Sequence, residues 1–279
     1  MSKSWSDLDD VSDPVYEPHN NLLIIDGNNL AYRYIRRANF DSYQDDYIRT
    51  VESLGRSYKA KHTYVCFDFG KSNYRLAMHE MYKGTRKKAE TEEEIAHFDA
   101  FFKVLNSLPE YLEGQSLKFR GVEADDLITY LVLNRKEEYE HVWITSSDKD
   151  VLQLLDTNVS VFNLFSRKEI TVDSLFEKTG LTPLEYRLAR MMEGETGDNI
   201  EGIEGVGEKR SQAIAKEYKS LDNLLASLPL KGTSKYIANI NKAKDLLVTN
   251  NKLVNLIDFN DEALAASFET DIFERLEDV

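Results

Sequence analysis

The sequence predicts an α/β protein with a mixed, mostly parallel central sheet, helices on both faces of the sheet, and a helical C-terminal half. Up to about residue 180, short apolar runs alternate with segments whose apolar residues recur at helical spacing. This alternation is typical of strands joined by crossover helices. From about residue 182 onward the pattern is helical throughout. With 279 residues, the chain can form one large domain or two small ones.

The strands are predicted from apolar runs that end at turn-forming residues. Leu22–Ile25 is followed by Asp26-Gly27, the pattern of a buried parallel strand that ends in a loop. The other predicted strands are Thr63–Asp68, His141–Thr145 and Val159–Phe165, with a strand-like run at Leu117–Gly121. Between them, helices are predicted at 41–60, 90–107 and Glu123–Lys136.

Composition argues against a membrane or secreted protein. The longest apolar runs are a few residues long, whereas a membrane helix needs about 20. Residues 1–20 carry five acids and one Lys, unlike a signal peptide. The single cysteine, Cys66, excludes an internal disulfide and fits a reducing compartment. We therefore expect a soluble cytoplasmic protein that does not associate with membranes.

The net charge of −14 is unusual for a protein that binds nucleic acid, but the charge is unevenly distributed. Residues 1–20 and 261–279 together contribute −10, which leaves −4 for residues 21–260. Residues 205–245 hold eight Lys and Arg against four acids. A local basic face is therefore compatible with the acidic total.

Acidic residues follow the predicted strands and helices, and the topology brings those up to Asp150 to one edge of the sheet. Asp26 and Asp68 each end a predicted strand, and an acidic triplet precedes the helix that begins near Glu123. Two more groups follow the strand ending at Thr145 and the helix ending near Met192. The full set is Asp26, Asp68, Glu123, Asp125, Asp126, Asp148, Asp150, Glu195 and Asp198.

Any one of these acids can be a helix cap, a turn former or a solvated surface residue. Together, however, carboxylates at close range repel one another and take up protons unless cations neutralise them. Hard cations with oxygen ligands, Mg²⁺ or Mn²⁺, fit this set, because no histidine pairs with the acids at ligand spacing. Two such ions can activate water and stabilise the oxygens of a phosphoryl displacement.

A basic segment, Tyr82 to Lys88, lies in a long insertion between Asp68 and the acidic triplet. A solvated loop is the simpler interpretation of such a segment. Its four cations beside an aromatic ring also suit a nucleic-acid strand, with Tyr82 stacking on a base. Lys83 and Arg86 could stabilise charge on the phosphate that is cleaved.

The second landmark is a glycine-rich turn just after Glu195 and Asp198. Gly202, Gly205 and Gly207 allow a tight turn between two helices, whose following N-terminus presents amides to a phosphate. Lys209 and Arg210 lie in the first turn of that helix. Alone, the motif fits a plain helical hairpin; its position after the acids favours a DNA contact.

Taken in order, these motifs resemble the flap endonuclease (5′-nuclease) family, particularly its free-standing bacteriophage members. The resemblance covers roughly residues 20–260 and rests on five segments. They are Ile25-Asp26-Gly27-Asn28-Asn29-Leu30, Tyr82-Lys83-Gly84-x-Arg86, Gly121-Val122-Glu123-Ala124-Asp125-Asp126, Ser147-Asp148-Lys149-Asp150, and Gly197-Asp198-Asn199-Ile200 followed by the glycine turn. It implies a helical arch over the active site and a helix-hairpin-helix element beside a K⁺ or Na⁺ ion.

The resemblance also assigns roles to residues. It implies a first metal group at Asp26, Asp68, Glu123, Asp125 and Asp126, and a second at Asp148, Asp150, Glu195 and Asp198. Family members usually carry Asp where this chain has Glu195. Catalytic contacts with the phosphate are implied for Lys83 and Arg86. The implied DNA contacts are Arg33, Tyr82, Arg190, Gly202, Gly205, Gly207, Lys209, Arg210 and Lys235.

The expected organisation is a disordered acidic tail (1–20), an α/β nuclease core (21–180) with an arch at 80–113, a helical region with the hairpin (181–260), and an acidic C-terminal segment (261–279). We expect a monomer that cuts branched or 5′-ended duplex DNA carrying a single-stranded 5′ flap, with two Mg²⁺ ions and with a replicative polymerase as a partner.

Two other functions remain open. An RNA-cutting relative would have a similar acidic sheet edge, although the glycine hairpin and the helical second half argue against it. A non-catalytic junction-binding module is disfavoured, because nine carboxylates near phosphates would weaken binding.

Overall fold

The computed structural model describes residues 18–85 and 90–279. Most of the predicted acidic tail, residues 1–17, and the segment Arg86–Ala89 lie outside the described residues. At the start of the described chain, His19 N donates to Lys59 O (2.9 Å) and Asn20 Nδ2 to Glu138 O (2.8 Å).

The described residues form a six-stranded sheet in the order β3-β2-β1-β4-β5-β6. Every neighbouring pair is parallel except β5 and β6, which are antiparallel. The mixed, mostly parallel sheet predicted from the sequence is therefore confirmed. The strands are β1 (Asn21–Asp26), β2 (Ala60–Phe67), β3 (Ser116–Lys118), β4 (His141–Thr145), β5 (Val159–Asn163) and β6 (Lys168–Ile170).

Helices connect the strands and make up the second half of the chain. Those of the first half are α1 (Gly27–Ala31), α2 (Tyr43–Ser57), α3 (Asn73–Met78), α4 (Glu92–Ser107), α5 (Ala124–Arg135) and α6 (Val172–Thr179). Those of the second half are α7 (Pro183–Glu193), α8 (Glu208–Tyr218), α9 (Leu221–Ala226), α10 (Lys235–Lys242), α11 (Lys244–Val254), α12 (Asn260–Ala265) and α13 (Ile272–Glu277).

Two apolar cores cover the two faces of the sheet. Because strand residues alternate between faces, Leu22 and Ile24 pack into the core that contains α5, and Leu23 and Ile25 into the core that contains α2 and α4. All four side chains are fully buried, as expected for a central parallel strand. A third core forms within the helical half.

The strand that the sequence places at Val159–Phe165 ends earlier in the structure. After Asn163 the chain turns, with Arg167 N donating to Asn163 O (2.8 Å), and returns as the antiparallel edge strand β6. The sequence did not predict β6, because Lys168-Glu169-Ile170 is short and polar, as edge strands often are.

The acidic C-terminal segment packs against the α/β core. Leu264, Ile272 and Leu276 are fully or almost fully buried in the core that contains α5. The exposed acids of this segment therefore lie on the outer face of helices that complete the fold. Among the described residues, none of the helices is long and apolar enough to cross a membrane.

Two glycines bring the end of α7 against the turn that precedes α8. A Cβ at Gly202 would lie 2.0 Å from the carbonyl oxygen of Glu193, and Gly194 has φ +65°. Asn250 Nδ2 also donates to Met191 O in α7 and to Glu201 O in the turn, both at 2.8 Å. The close contact holds the glycine turn beside Glu195 and Asp198.

We predict that Gly202→Ala lowers the free energy of unfolding by about 1–3 kcal/mol, since the added methyl group must displace backbone. Urea unfolding measures this change. Gly197→Ala is the control: open space surrounds Gly197, and we expect a change within about 0.5 kcal/mol. Equal stability of the two variants would show that the close contact between Gly202 and the backbone of Glu193 does not require glycine.

Candidate active site

The ends of neighbouring strands bring acidic side chains to one edge of the sheet. Asp26 is the last residue of β1, and Asp68 follows β2. Asp148 follows β4, and Asp125 lies in the first turn of α5. Because β1, β2 and β4 are parallel neighbours, their carboxyl ends meet at the same edge.

Hydrogen bonds from the adjoining loops orient these carboxylates. Asp26 caps α1 by accepting from Asn29 N (2.9 Å) and also accepts from Ser146 Oγ (2.8 Å). Asp68 Oδ1 accepts from Ala124 N at the start of α5 (2.7 Å). Asp26 is therefore a helix cap, the alternative that the sequence left open, and it also lies at the same sheet edge as Asp68.

The carboxylates at this edge repel one another. Burial, and next the charge of Asp68, raises the pKa of Asp26 to about 7. Burial and then the charges of Asp148, Asp26 and Asp68 raise the pKa of Asp125 well above its ordinary value. The pKa of Asp148 is also raised, by burial and by Asp150. A cation among them would relieve this repulsion.

A second acidic group surrounds Arg190 on α7. Its Nε contacts Asp150 Oδ1 at 2.8 Å, and its Nη2 contacts Glu195 Oε2 at 2.9 Å. Burial and the neighbouring Asp150 nevertheless raise the pKa of Glu195 to about 7. In this structure Arg190, which was predicted to contact DNA, neutralises acids of the second predicted metal group.

Glu123 and Asp126 are placed differently from the other predicted ligands. Both side chains are buried, and both contact the guanidinium group of Arg75. Asp126 uses both carboxylate oxygens for this contact, each at 2.8 Å. Their role as metal ligands stays a prediction.

The donor set suits a hard divalent cation, because it consists of carboxylate oxygens. Among residues 18–85 and 90–279, no three Asp, Glu, His or Cys side chains already converge as ligands of one ion. The acids thus form a crowded cluster, and ion binding would have to draw their oxygens inward.

Lys83 lies between the two acidic groups. Its Nζ is 2.8 Å from Glu123 Oε1 and 3.7 Å from Asp198 Oδ2, and its backbone N donates to Asp198 O (3.0 Å). Burial by itself would lower the pKa of Lys83, but the charges of Glu123 and Asp198 raise it above its ordinary value. The amine is therefore held as a cation. Arg86, the other predicted catalytic cation, lies outside the described residues.

Tyr82 does not occupy the position expected of a base-stacking residue. Its ring is 3% exposed and packs in the core of the helical half. The hydroxyl donates to Glu123 Oε2 (2.9 Å) and Asp198 Oδ2 (3.2 Å). An aromatic residue beside cations can thus also be a buried anchor, and the contact of Tyr82 with DNA stays a prediction. Beyond Arg86–Ala89, the predicted arch continues as α4.

The glycine turn presents cations on an exposed face. Gly205 has φ +80°, and Gly207 is the N-cap of α8. Lys209 and Arg210 follow in the first turn, and the Arg210 guanidinium lies 4.5 Å from the centre of the Tyr236 ring. The remaining predicted contacts are Lys235, which is exposed and paired with Glu204 (2.6 Å), and Arg33, which lies after α1 and is close to Arg167.

Known proteins share this arrangement. Residues 21–180 match the model of the 5′-3′ exonuclease N-terminal resolvase-like domain, and residues 181–270 match the 5′-3′ exonuclease C-terminal SAM fold. The chain belongs to the 5′-3′ exonuclease family. The resemblance found in the sequence is thereby confirmed.

Individual relatives cover most of the chain. A flap endonuclease of Escherichia phage T5 is 36% identical over 95% of this chain and 94% of its own length. The crystal structure of the bacteriophage T5 flap endonuclease in a pseudo-enzyme-product complex with DNA and metal ions matches with a TM-score of 0.88 and 34% identity, covering 92% of this chain and 97% of that one. A thermostable DNA polymerase I of Thermus thermophilus is 32% identical over 77% of this chain, but over only 26% of the polymerase.

Sequence reasoning missed several residues that shape the site. Ser146 and Asn29 orient Asp26, and Arg75 neutralises Asp126. The loop residue His79 donates from Nε2 to Asn199 O (2.9 Å), joining the start of the basic segment to the second acidic group. Asn29 lies in the motif around Asp26, three residues from its partner; no local pattern marks Ser146, Arg75 and His79, because their partners are distant in the chain.

We predict that Mg²⁺ raises the unfolding temperature of the metal-free protein and that Asp26→Asn reduces this gain, since one repelling carboxylate is lost. At 100-fold excess over its dissociation constant, a bound ion stabilises by about 2.7 kcal/mol. Thermal unfolding in EDTA and in Mg²⁺ measures the gain. Asp99→Asn, on the exposed surface of α4, is the control and should keep the full gain. An undiminished gain in Asp26→Asn would remove Asp26 from the ion site.

Proposed function

We propose that this chain is a structure-selective 5′ nuclease that hydrolyses DNA phosphodiester bonds at 5′ flaps and 5′ ends. The observation that carries the proposal is the convergence of Asp26, Asp68, Asp125 and Asp148 at one sheet edge, with the buried cation Lys83 beside them. This arrangement suits hydrolysis of a phosphodiester without a Ser or His nucleophile. The family and the named activities of its members agree with it.

We further propose Mg²⁺ as the metal, with Mn²⁺ as a substitute, in two positions. Asp26, Asp68 and Asp125 would hold one ion, and Asp148, Asp150, Glu195 and Asp198 the other. When bound, two such ions lower the pKa of a water molecule and stabilise charge on the attacking and leaving oxygens. Support comes from the all-carboxylate donor set and from the metal ions in the T5 structure.

The chain's own cations would act on the substrate phosphate. Lys83 is fixed between Glu123 and Asp198, so that its ammonium group is preorganised and needs little reorganisation when a phosphate approaches. Arg190 would keep Asp150 and Glu195 apart and oriented until the substrate complex forms. Arg86 is assigned to the same phosphate on the resemblance alone.

The helical half would bind the duplex. The amides after Gly207 and the exposed Lys209 face one phosphate strand, with Arg210 and Lys235 beside them. We propose a K⁺ or Na⁺ ion at this hairpin, as the resemblance implies. Binding here would be salt dependent and insensitive to sequence.

A replicative DNA polymerase is the proposed partner. The support is that a DNA polymerase I contains a region similar to this chain within a much longer protein. We also propose that the chain acts as a monomer in the cytoplasm, in keeping with its single buried cysteine.

The direct test is cleavage of a 5′-labelled flap duplex during a Mg²⁺ titration. We expect short labelled products released from the single-strand and duplex junction, and no cleavage in EDTA. A matched flap with an RNA 5′ strand distinguishes the RNA-cutting alternative. Binding of the flap without any Mg²⁺-dependent product would support a non-catalytic junction binder.

We predict that Lys83→Ala lowers kcat by about 10²–10³-fold, because a preorganised charge at the phosphate is lost. Multiple-turnover cleavage at saturating flap DNA gives kcat, and anisotropy gives the DNA dissociation constant, which should change by less than about tenfold. Lys61→Ala, an exposed cation in the first half of β2, is the matched control and should leave both values unchanged. Wild-type turnover in Lys83→Ala would remove this amine from the reaction.

A further inference from the structure

We propose that Arg75 is a positioning residue of this nuclease: through Asp126 and Glu123 it sets the placement of Lys83 and ties it to the C-terminal helices. The inference rests on the proposed function, since it concerns the reaction in which Lys83 takes part. It also assigns Glu123 and Asp126 a role other than direct binding of a metal ion.

Arg75 is a buried cation at the centre of three chain segments. It lies in α3 and is 4% exposed. Its Nη1 and Nη2 each donate to one oxygen of Asp126 at 2.8 Å, the paired geometry that only a guanidinium group offers. Asp126 is 1% exposed, and both of its oxygens are engaged by Arg75.

The same guanidinium group reaches two further partners. Nη1 lies 3.6 Å from Glu123 Oε2, and Nε donates to the carbonyl oxygen of Leu253 at 3.1 Å. Leu253 belongs to α11, while Glu123 and Asp126 lie at the start of α5. Arg75 therefore links the helical half directly to the helix that carries Asp125.

Glu123 connects Arg75 to Lys83, because it contacts both cations. Its Oε1 accepts from Lys83 Nζ (2.8 Å) and from Ser72 N (3.3 Å), and its Oε2 accepts from Tyr82 hydroxyl (2.9 Å). With Arg75 beside Oε2 as well, both oxygens of this buried carboxylate are engaged by the chain itself. Glu123 is thus a fixed anionic support for Lys83 and Tyr82.

Charge sharing explains why Arg75 matters for the reaction. Glu123 and Asp126 are two buried anions, and Arg75 and Lys83 are their two cations. While Arg75 is present, Lys83 shares Glu123 with it and also approaches Asp198 at 3.7 Å. Without Arg75, Lys83 would be the sole counter-ion of Glu123 and would be drawn toward it, away from Asp198 and the phosphate.

The test uses a variant designed to remain folded. Removing Arg75 alone would leave Asp126 buried and unpaired, which commonly destabilises by about 3–5 kcal/mol. The paired variant Arg75→Met with Asp126→Leu removes both charges together. Lys136→Met with Asp156→Leu is the matched control, an ion pair at the opposite edge of the sheet.

Four measurements are made on the full-length chain with Mg²⁺ and flap DNA. They are thermal unfolding, its shift on Mg²⁺ addition, the DNA dissociation constant, and kcat from multiple-turnover cleavage at saturating flap DNA. For the Arg75 and Asp126 pair we expect at least a tenfold loss of kcat, a DNA dissociation constant within threefold of wild type, and an unchanged Mg²⁺ shift. The control pair should match wild type in kcat, DNA binding and Mg²⁺ shift.

The other outcomes contradict the proposal. Wild-type kcat in the folded paired variant would show that Arg75 has only a structural role. Loss of the Mg²⁺ shift would show that Asp126 is a metal ligand. If the paired variant does not fold, Arg75→Lys is the deciding variant, because it keeps the positive charge but loses the paired contact with Asp126. We expect a several-fold loss of kcat in Arg75→Lys. Wild-type kcat in that variant would refute the proposal. A wild-type chain that cleaves no flap would refute the proposed function itself.

Discussion

Repulsion among carboxylates at one edge of the sheet is the constraint on which the rest of this site depends. The parallel register of β1, β2 and β4 fixes where these carboxylates lie, because the carboxyl ends of adjacent parallel strands meet at the same edge. Asp26, Asp68 and Asp148 follow from that register, and α5 adds Asp125 from the same side. Burial strengthens the repulsion, since little water screens the charges. The fold therefore needs cations at this edge, from the chain or from solution.

Within residues 18–85 and 90–279, three cations contact the acids at or behind this edge. Arg75 neutralises Asp126 behind the cluster, Lys83 stands between Glu123 and Asp198, and Arg190 joins the acids of the second group. None of the three lies on the outer surface, so they contribute little to the basic face expected of a DNA-binding protein. That face is carried by the exposed cations after the glycine turn. The net charge of −14 therefore does not reveal the cations buried beside the acids or the exposed cations after the glycine turn.

Much of this could be predicted from the sequence where the signal is local. A strand ending in Asp, as at Asp26, is visible in a few consecutive letters, and topology then places it at the sheet edge. The pairing of Arg75 with Asp126 could not be predicted, because 51 residues separate them and neither lies in a recognisable spacing. The burial of Tyr82 could not be predicted for a related reason: a ring beside cations has the same local pattern whether a base or a protein core covers it. Edge strand β6 was missed because polar residues form it.

Short contacts join the two family domains at the acidic site. The N-terminal domain supplies Arg75 and Lys83, while the segment after residue 180 supplies Leu253 O and Asp198, which receive them. A displacement of the helical half would thus move Arg75 through its Nε and Lys83 through its backbone N. Under the proposed function, duplex bound near the glycine turn would contact that same half. The short contacts to Leu253 O and Asp198 O would then couple DNA binding to the placement of Lys83, without any additional moving element.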